Sequence, residues 1–342
     1  MSVKQGGNVS LRFKRIATEL RLGGVKALSV QIFGAGMAGS YLYMLLSRDF
    51  DVSIKDVRVR PDCRCAWGIT YKQAKKLYRE IGIDLDEYVL LKPKYAVANG
   101  IKIKNRNIVI FDKKRLLEDL WEQIEFKEVK ANLYVDATGY KRVLLPKLDD
   151  RLYPTIQMIE EHDAEENIYA YARRTGYAWA FPLGNNRWHI GAGDLNETRA
   201  LELIERLRQE YGFNEGDKIC SCKSKIRILP PSKCRPFVSG NVVGVGEAIG
   251  CVSGFGEGNA PALESAKILY ECLINDELRE YEKRILKEFK WIEEEHKFVE
   301  AVQNCKKFAT LLQLPRVITI EKRRSAEYSI KDLVYLIKTL KP

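Results

Sequence analysis

A strand, a glycine turn, a helix and a second strand follow one another over residues 27–56. A strand-rich stretch over 151–230 then precedes another strand, glycine turn and helix. These two observations predict an α/β fold with an inserted antiparallel sheet and a helical C-terminal segment. The boundaries read as 1–26 for a basic extension, 27–150 with 235–275 for a discontinuous first domain, 151–234 for the inserted sheet-rich domain, and 276–342 for the charged helical end.

At 342 residues the chain suits two or three lobes, and 46% hydrophobic with 30% charged residues describes a folded globular protein. The 57 Lys and Arg outnumber the 46 Asp and Glu, leaving +11, which favours anionic partners: phosphates, an anionic membrane surface or nucleic acid. No basic stretch is interleaved with stacking aromatics, so nucleic acid ranks last. Abundant Lys, Arg, Glu and Ile hint at a heat-adapted, archaeal-like source. Eight cysteines include two Cys-x-Cys pairs, at 63/65 and 220/222. That spacing is shorter than zinc's usual one and no His follows at ligand distance, so no metal site is predicted.

Residues 27–47 carry no charge and imitate a membrane span. Gln31 and three glycines in six positions argue against that, so the chain reads as cytoplasmic, with peripheral membrane contact left open. "ALSVQIF" has the length of a buried strand, "SYLYMLLSRD" has helical spacing and "FDVSIKD" alternates as a strand. Residues 73–92 read as a helix with Ala74, Leu77, Ile81 and Leu85 on one face. "YAVANGIKIKNRNIVIF" reads as a hairpin turning at Asn99-Gly100. "KKRLLEDLWEQI" is a helix, and "ANLYVDATGY" is a strand ending in a glycine turn. Further on come the helix "TRALELIERLRQEYG", the strand and turn "NVVGVGEAIG" and the helix "APALESAKILYECLI".

Gly34-Ala35-Gly36-Met37-Ala38-Gly39 matches G-x-G-x-x-G between a strand and a helix. The first glycine permits the turn, the second lets a pyrophosphate approach the backbone, and the third lets helix and strand pack closely. Asp56 stands 22 residues after Gly34, where a ribose-binding acid belongs. The first domain is therefore Rossmann-like and binds a dinucleotide. "DATG" at 136–139 and "GEAIGCVSGFGEGNAPALES" at 246–265 add two further glycine turns. In the second, Asn259 suits a helix cap and Pro261 the first turn, with Gly256 and Gly258 presenting backbone N–H groups to an anion. Reduced flavin carries negative charge near N1 and O2, so such a helix start favours the reduced cofactor.

Over residues 27–275 the sequence resembles the geranylgeranyl reductase family of FAD-dependent oxidoreductases, within the p-hydroxybenzoate hydroxylase-like flavoproteins. The family's Tyr-x-Trp-x-Phe-Pro element stands intact as Tyr177, Trp179, Phe181 and Pro182, and in the family it lines an isoprenoid cavity beside the flavin. Gly34, Gly36, Ala38, Gly39 and Asp56 fall in the ADP-binding elements, and Thr138 and Gly139 in the A-T-G turn. "CAWGI" resembles the element near the isoalloxazine, placing Cys65 and Gly68 there. Lys113 takes the place of an Arg at the start of a cofactor-contacting helix, which keeps a phosphate contact in changed form. The G-D-A-A-G motif departs to Gly246-Glu247-Ala248-Ile249-Gly250, with Glu247 in the place of the acid that binds the ribityl or pyrophosphate part. The Pro that usually follows is absent, and the chain is shorter than most members.

The resemblance implies FAD as cofactor, an isoprenoid or prenyl-lipid substrate, and an electron donor that is either NAD(P)H or ferredoxin. The implied reaction is hydride transfer to carbon–carbon double bonds of polyprenyl groups in lipid precursors. Cys65 is then a proton donor or a shaper of the site, against an equal reading as a small buried hydrophobe. His189 reads as a hydrogen-bonded core histidine. Two alternatives stay open: an FAD-dependent monooxygenase or dehydrogenase on another apolar substrate, and a non-catalytic flavoprotein-like binding module.

Overall fold

The computed structural model describes residues 28–62, 66–214, 216 and 218–340. The extension at 1–26 and Cys65 lie outside the described residues.

The uncharged run divides into β1 (Ser29–Phe33), a glycine turn and α1 (Met37–Leu46), and β2 (Asp51–Lys55) follows. Val30 and Ile32 are buried, as in a strand covered on both faces. Gln31 between them is buried too, its side-chain oxygen accepting from Ser53 Oγ at 3.0 Å and Val129 N at 2.7 Å. Among the described residues no helix is long and apolar enough to cross a membrane.

β3 (Gly68–Thr70) leads into α2 (Tyr71–Glu80). The helix expected over 73–92 is therefore shorter. Gly82 turns the chain at φ +78°, and Leu85 opens a separate short 3-10 turn. Ala74, Leu77, Ile81 and Leu85 all pack in the same core, which is why the periodicity runs on past the break. β4 (Val89–Leu91) precedes the hairpin of β5 (Tyr95–Ala98) and β6 (Ile101–Asn105), where Asn99 and Gly100 sit at φ +47° and +78° as a two-residue hairpin turn requires. β7 (Ile108–Phe111) is followed by α3 (Lys113–Trp121), capped by Asp112, whose carboxylate accepts from Arg115 N at 3.0 Å. β8 (Leu133–Asp136) then returns to pair in parallel with β1.

The middle of the chain forms β9 (Leu152–Glu161), β10 (Ile168–Ala172), β11 (Tyr177–Gly184), β12 (Arg187–Gly193), α4 (Glu197–Tyr211) and β13 (Lys218–Arg227). Beyond it lie β14 (Val238–Ser239), β15 (Val242–Gly244), α5 (Asn259–Ile274), α6 (Tyr281–Glu288), α7 (Lys290–Gln303), α8 (Lys307–Arg324), β16 (Ala326–Glu327) and α9 (Ile330–Thr339).

These strands make three sheets, ordered β14-β15-β8-β1-β2, β13-β9-β12-β11-β10-β5-β6-β16 and β3-β7-β4. The first is parallel except for β14. The second is antiparallel apart from the parallel pair β5 and β10. β5 and β6, inside the segment read as the first domain, thus hydrogen-bond into the larger sheet. Ala178, Ala180, Ile190 and Ala192 pack under α4 through Ala200, Leu203, Ile204 and Leu207. α7 lies on the loop before α5: His296 Nε2 donates to Val252 O at 2.9 Å, and Glu295 Oε2 accepts from Gly254 N at 3.0 Å.

Candidate functional site

The first glycine turn is pinned from several sides. Gly34 sits at φ +98°, and a methyl group there would fall 2.5 Å from Ala137 O. Trp121 Nε1 donates to Ala35 O at 2.8 Å, and Ser40 Oγ donates to the same oxygen at 3.0 Å. At Gly39 a methyl would meet Gly34 O at 1.9 Å, which is the close helix–strand approach the sequence predicts. Gly36 is different: a methyl there would meet nothing within 4 Å. Gly36 is also the N-cap of α1 and brings no side-chain cap, so open space lies at a helix start with N–H groups to offer. Ala38 is buried beside Gly246.

Asp56 is placed as expected but is already occupied. Its carboxylate accepts from Ala35 N at 2.7 Å and from Arg58 N, Nε and Nη2 at 2.8, 2.9 and 2.8 Å. Burial opposes its charge, but Arg58 and the two backbone N–H groups outweigh that and hold its pKa below the usual value. The Arg58 guanidinium lies 5.3 Å from the Trp121 ring centroid. A ribose hydroxyl would therefore share these oxygens with Arg58. No sequence motif pointed to this Arg.

The A-T-G turn wraps a buried acid. Asp136 accepts from Thr138 Oγ1 at 2.6 Å, Thr138 N at 3.2 Å, Leu144 N at 2.8 Å and Leu145 N at 3.0 Å. Gly139 then brings the backbone against Glu247, whose Oε2 would lie 3.4 Å from an added methyl. Glu247 is engaged within the protein. Its Oε1 accepts from Arg227 N at 2.7 Å, and its main-chain oxygen accepts from Arg227 Nη1 at 2.5 Å. Arg227 is fully buried and also pairs with Asp150 at 2.6 Å and donates to Tyr140 O at 2.7 Å. Burial pushes the Glu247 carboxyl up to about 7, against the pull of Arg227. The extra methylene of Glu thus lets this acid reach protein groups and tie the end of β13 to the Gly246–Gly250 turn. Gly246 N donates to Ser265 Oγ at 2.9 Å, and Gly250 packs on Cys234.

The third turn meets the aromatic strand. Gly256, at φ +89°, faces Tyr177: an added methyl would fall 2.0 Å from its hydroxyl. At Gly68 the same methyl would fall 3.2 Å from Phe181 Cε2. Trp179 lies across Gly191, and its Nε1 donates to His189 Nδ1 at 3.2 Å. The Trp179 and His189 rings are 13° from parallel, and Trp67 stands 5.9 Å from His189 on centroids. Register pairs Tyr177 with Gly193, Trp179 with Gly191 and Phe181 with His189, so one face of β11 and β12 carries rings over glycines. Pro182 is paired with Trp188, which packs in the α4 core, so Pro182 falls on the opposite face. A cavity of about 510 Å³ opens near Leu183, lined by Trp67, Leu90, Ile159, Leu183 and Ile219 with Arg60, Lys114, Arg115 and Arg187 against Asp62, Asp112 and Glu118.

α5 starts at Gly258, again without a side-chain cap. Asn259 does not cap it. Its Nδ2 donates to Ala66 O at 3.0 Å and Gly68 O at 2.8 Å, and its Oδ1 accepts from Lys113 Nζ at 2.9 Å. Lys113 is therefore turned toward α5. Glu257 accepts from Thr70 Oγ1 at 2.6 Å and Thr70 N at 3.2 Å. Two uncapped helix starts and the open Gly36 cradle fit a dinucleotide at its phosphates and at its ring end. Among the described residues no group of three or more His, Cys, Asp or Glu could hold a metal ion.

No protein-family model matches the chain. A Methanocaldococcus jannaschii protein described only as uncharacterized is 26% identical, spanning 80% of this chain and 91% of its own length. A geranylgeranyl bacteriochlorophyll reductase-like protein from Thermoplasma acidophilum superposes with a TM-score of 0.67 at 17% identity, over 92% of this chain and 97% of that one. Klebsiella pneumoniae HpxO, solved with FAD and uric acid, gives 0.59 at 13% identity over 86% and 94%. A flavin-dependent halogenase from Brevundimonas sp. BAL3 gives 0.59 at 12% over 81% and 79%. The chain shares the fold of FAD-binding oxidoreductases.

Proposed function

We propose that this chain is an FAD-dependent oxidoreductase that reduces carbon–carbon double bonds of geranylgeranyl or longer polyprenyl groups in lipid precursors. The observation that carries this reading is the seating of Tyr177 and Phe181 on Gly256 and Gly68, which puts an aromatic wall against the third glycine turn and the start of β3. Gly34, Gly36, Ala38 and Gly39 would hold the pyrophosphate at the start of α1, with Asp56 and Arg58 toward the ribose. Gly68, Gly256 and Gly258 would border the ring. When bound, FAD supplies the hydride, renewed by NAD(P)H or ferredoxin. The chain supplies binding, orientation and exclusion of water.

Tyr177, Trp179 and Phe181 share a strand face and would lie flat against an isoprenoid chain, each buried methylene contributing about 0.8 kcal/mol. The cavity of about 510 Å³ is of the size that small-molecule sites use, and its lining mixes apolar side chains with four cations and three acids, a slight excess of positive charge for an anionic head group. Burial alone pushes the Tyr177 hydroxyl up to about 12, so it stays neutral and serves as wall. The proton-donor role of Cys65 rests on the resemblance. Phe308, Leu311 and Leu312 share one exposed face of α8 beside Lys306, Lys307 and Arg316, which supports peripheral contact with an anionic membrane holding the substrate.

The test is the visible spectrum of the purified chain after incubation with FAD and removal of free cofactor. A retained flavin band is expected. A colourless protein that cannot be reconstituted would sink the reading and favour the non-catalytic module.

A further inference from the structure

Behind the third glycine turn two carboxyl groups meet in the interior. Glu295, in the first half of α7, is fully buried. Its Oε2 accepts from Gly254 N at 3.0 Å, and no donor among the described residues reaches its Oε1. The packing leaves no slack, because a methyl added at Gly254 would fall 2.8 Å from the Glu295 carbonyl carbon. Within hydrogen-bond reach of Glu295 stands a second acid, Glu321, near the end of α8. Glu321 Oε2 accepts from Ser325 Oγ, and Ser325 O accepts from Arg106 N at 3.0 Å and Asn107 N at 3.1 Å. Glu321 is thereby anchored to the connection between β6 and β7 while it meets α7 on its other side.

An ionised carboxyl only accepts, so two of them in contact make a hydrogen bond only when one carries a proton. The surroundings call for that proton as well. Facing the pair are Glu257 on the turn, Arg324 on α8 and the Tyr328 hydroxyl beyond β16, with Glu264 of α5 behind Arg324 at 3.4 Å. Glu257 is held by Thr70, Glu264 Oε2 has no donor among the described residues, and Glu288 at the end of α6 adds its charge to that of Glu264. Glu257, Glu264, Glu295 and Glu321 thus share one cation, Arg324. His296, next to Glu295, adds no charge, because burial brings its pKa down to about 4. Burial, then the charge and hydrogen bond of Glu321, raise the Glu295 carboxyl well above 4.5. Burial raises Glu321 too, against the hydrogen bonds from Ser325 and Glu295, so the proton rests on Glu295.

We infer that Glu295 and Glu321 are a carboxylic acid–carboxylate pair that latches α7 and α8 behind the third glycine turn, and that losing its one proton as pH rises releases the turn. Two ionised carboxylates in one dry contact repel. Glu321 is tied through Ser325, so Glu295 is the one displaced, and Gly254 N loses its acceptor. The pair binds its proton more tightly folded than unfolded. Its stabilisation is therefore complete below the unfolded value of 4.5 and is lost as pH rises through the higher folded value. The latch itself needs no cofactor. Its consequence for the ring end, where Gly256 of the same turn faces Tyr177, rests on the reading of the chain as an FAD protein.

The experiment is hydrogen–deuterium exchange of residues 253–258 in the chain without FAD, from about pH 5 to about pH 9, corrected for the intrinsic pH dependence of exchange. Protection of the wild-type turn is expected to hold at the acid end and then fall by about tenfold per pH unit once the proton is lost, while β1 and β8 keep theirs. In Glu295→Gln the amide donates to Glu321 and its oxygen accepts from Gly254 N, so the latch stays with no proton to lose and the profile is flat. Glu321→Gln flattens it equally, by removing the second charge. A flat wild-type profile overturns the inference without any variant. So does a fall that persists in both Gln variants, which would belong to another acid such as Glu247, and so does a loss of protection that is the same at every pH, the mark of a purely structural contact. FAD retention over the same range should fall in the wild type and hold in Glu295→Gln, and retention that ignores pH while exchange responds overturns the link to the ring end. A wild-type chain that takes up no FAD overturns the proposed function and leaves the latch to the exchange result.

Discussion

A methyl group added at Gly256 sets the aromatic wall directly against the glycine loop. Its ideal position lies 2.0 Å from the Tyr177 hydroxyl oxygen, 3.1 Å from Cζ and 3.4 Å from Cε1, on a residue at φ +89°. The left-handed backbone alone destabilises an alanine by roughly 1–2 kcal/mol. Forcing the Tyr177 ring aside adds roughly 1–3 kcal/mol. Gly256→Ala is therefore expected to cost about 2–5 kcal/mol of stability. Tyr177→Phe deletes the atom at 2.0 Å and leaves the nearest contact at 3.1 Å, so most of the second part disappears while the backbone part stays. Urea unfolding of the wild type, both single variants and the double variant, followed by tryptophan fluorescence without flavin, gives the coupling. The expected coupling is about 1–3 kcal/mol, with Gly256→Ala milder when Tyr177→Phe is also present. Strict additivity would refute the contact between wall and loop on which the site depends.

Glu247→Gln tests the tie to Arg227. The Glu247 carboxyl is raised from 4.5 to about 7, so the folded state holds its proton through that window. The stability this contributes is complete below about 4.5 and is lost as pH rises through 7. Urea midpoints of the wild type should fall between those values relative to Glu247→Gln, and parallel pH profiles would contradict the assignment. Trp179→Ala should lower kcat/KM for a long prenyl substrate more than for a short one, by roughly tenfold for every two methylenes that no longer pack on the ring. An equal loss on both substrates would remove Trp179 from the wall.

The first turn was legible because all of its demands are local. Gly34 and Gly39 must be glycine to avoid Ala137 and Gly34 backbone atoms, and Asp56 follows from strand length. The hairpin at Asn99-Gly100 and the ring-bearing face of β11 were legible for the same reason, since two-residue turns and strand alternation are written in adjacent residues. What the sequence left hidden depends on partners far along the chain. Arg227 takes up Glu247 from 20 residues away and Lys113 meets Asn259 across 146 positions, whereas Arg58, which takes up Asp56, stands only two residues from it. No local pattern encodes those choices: Arg227 is not written in the motif that holds Glu247, and Asn259 looks from its motif like a helix cap. The overlong helix at 73–92 has a local signal that apolar spacing overrode: Gly82 stands at the break. Pro182 belongs to the recognised element, yet its parity with Trp188 turns it to the other face.

The most direct test of the central claim is mass spectrometry of a geranylgeranylated lipid after anaerobic incubation with the chemically reduced, FAD-loaded protein. Reduction predicts products that gain two hydrogens per double bond, absent when FAD is omitted. An unchanged lipid, or oxygen incorporated on admitting air, would contradict it.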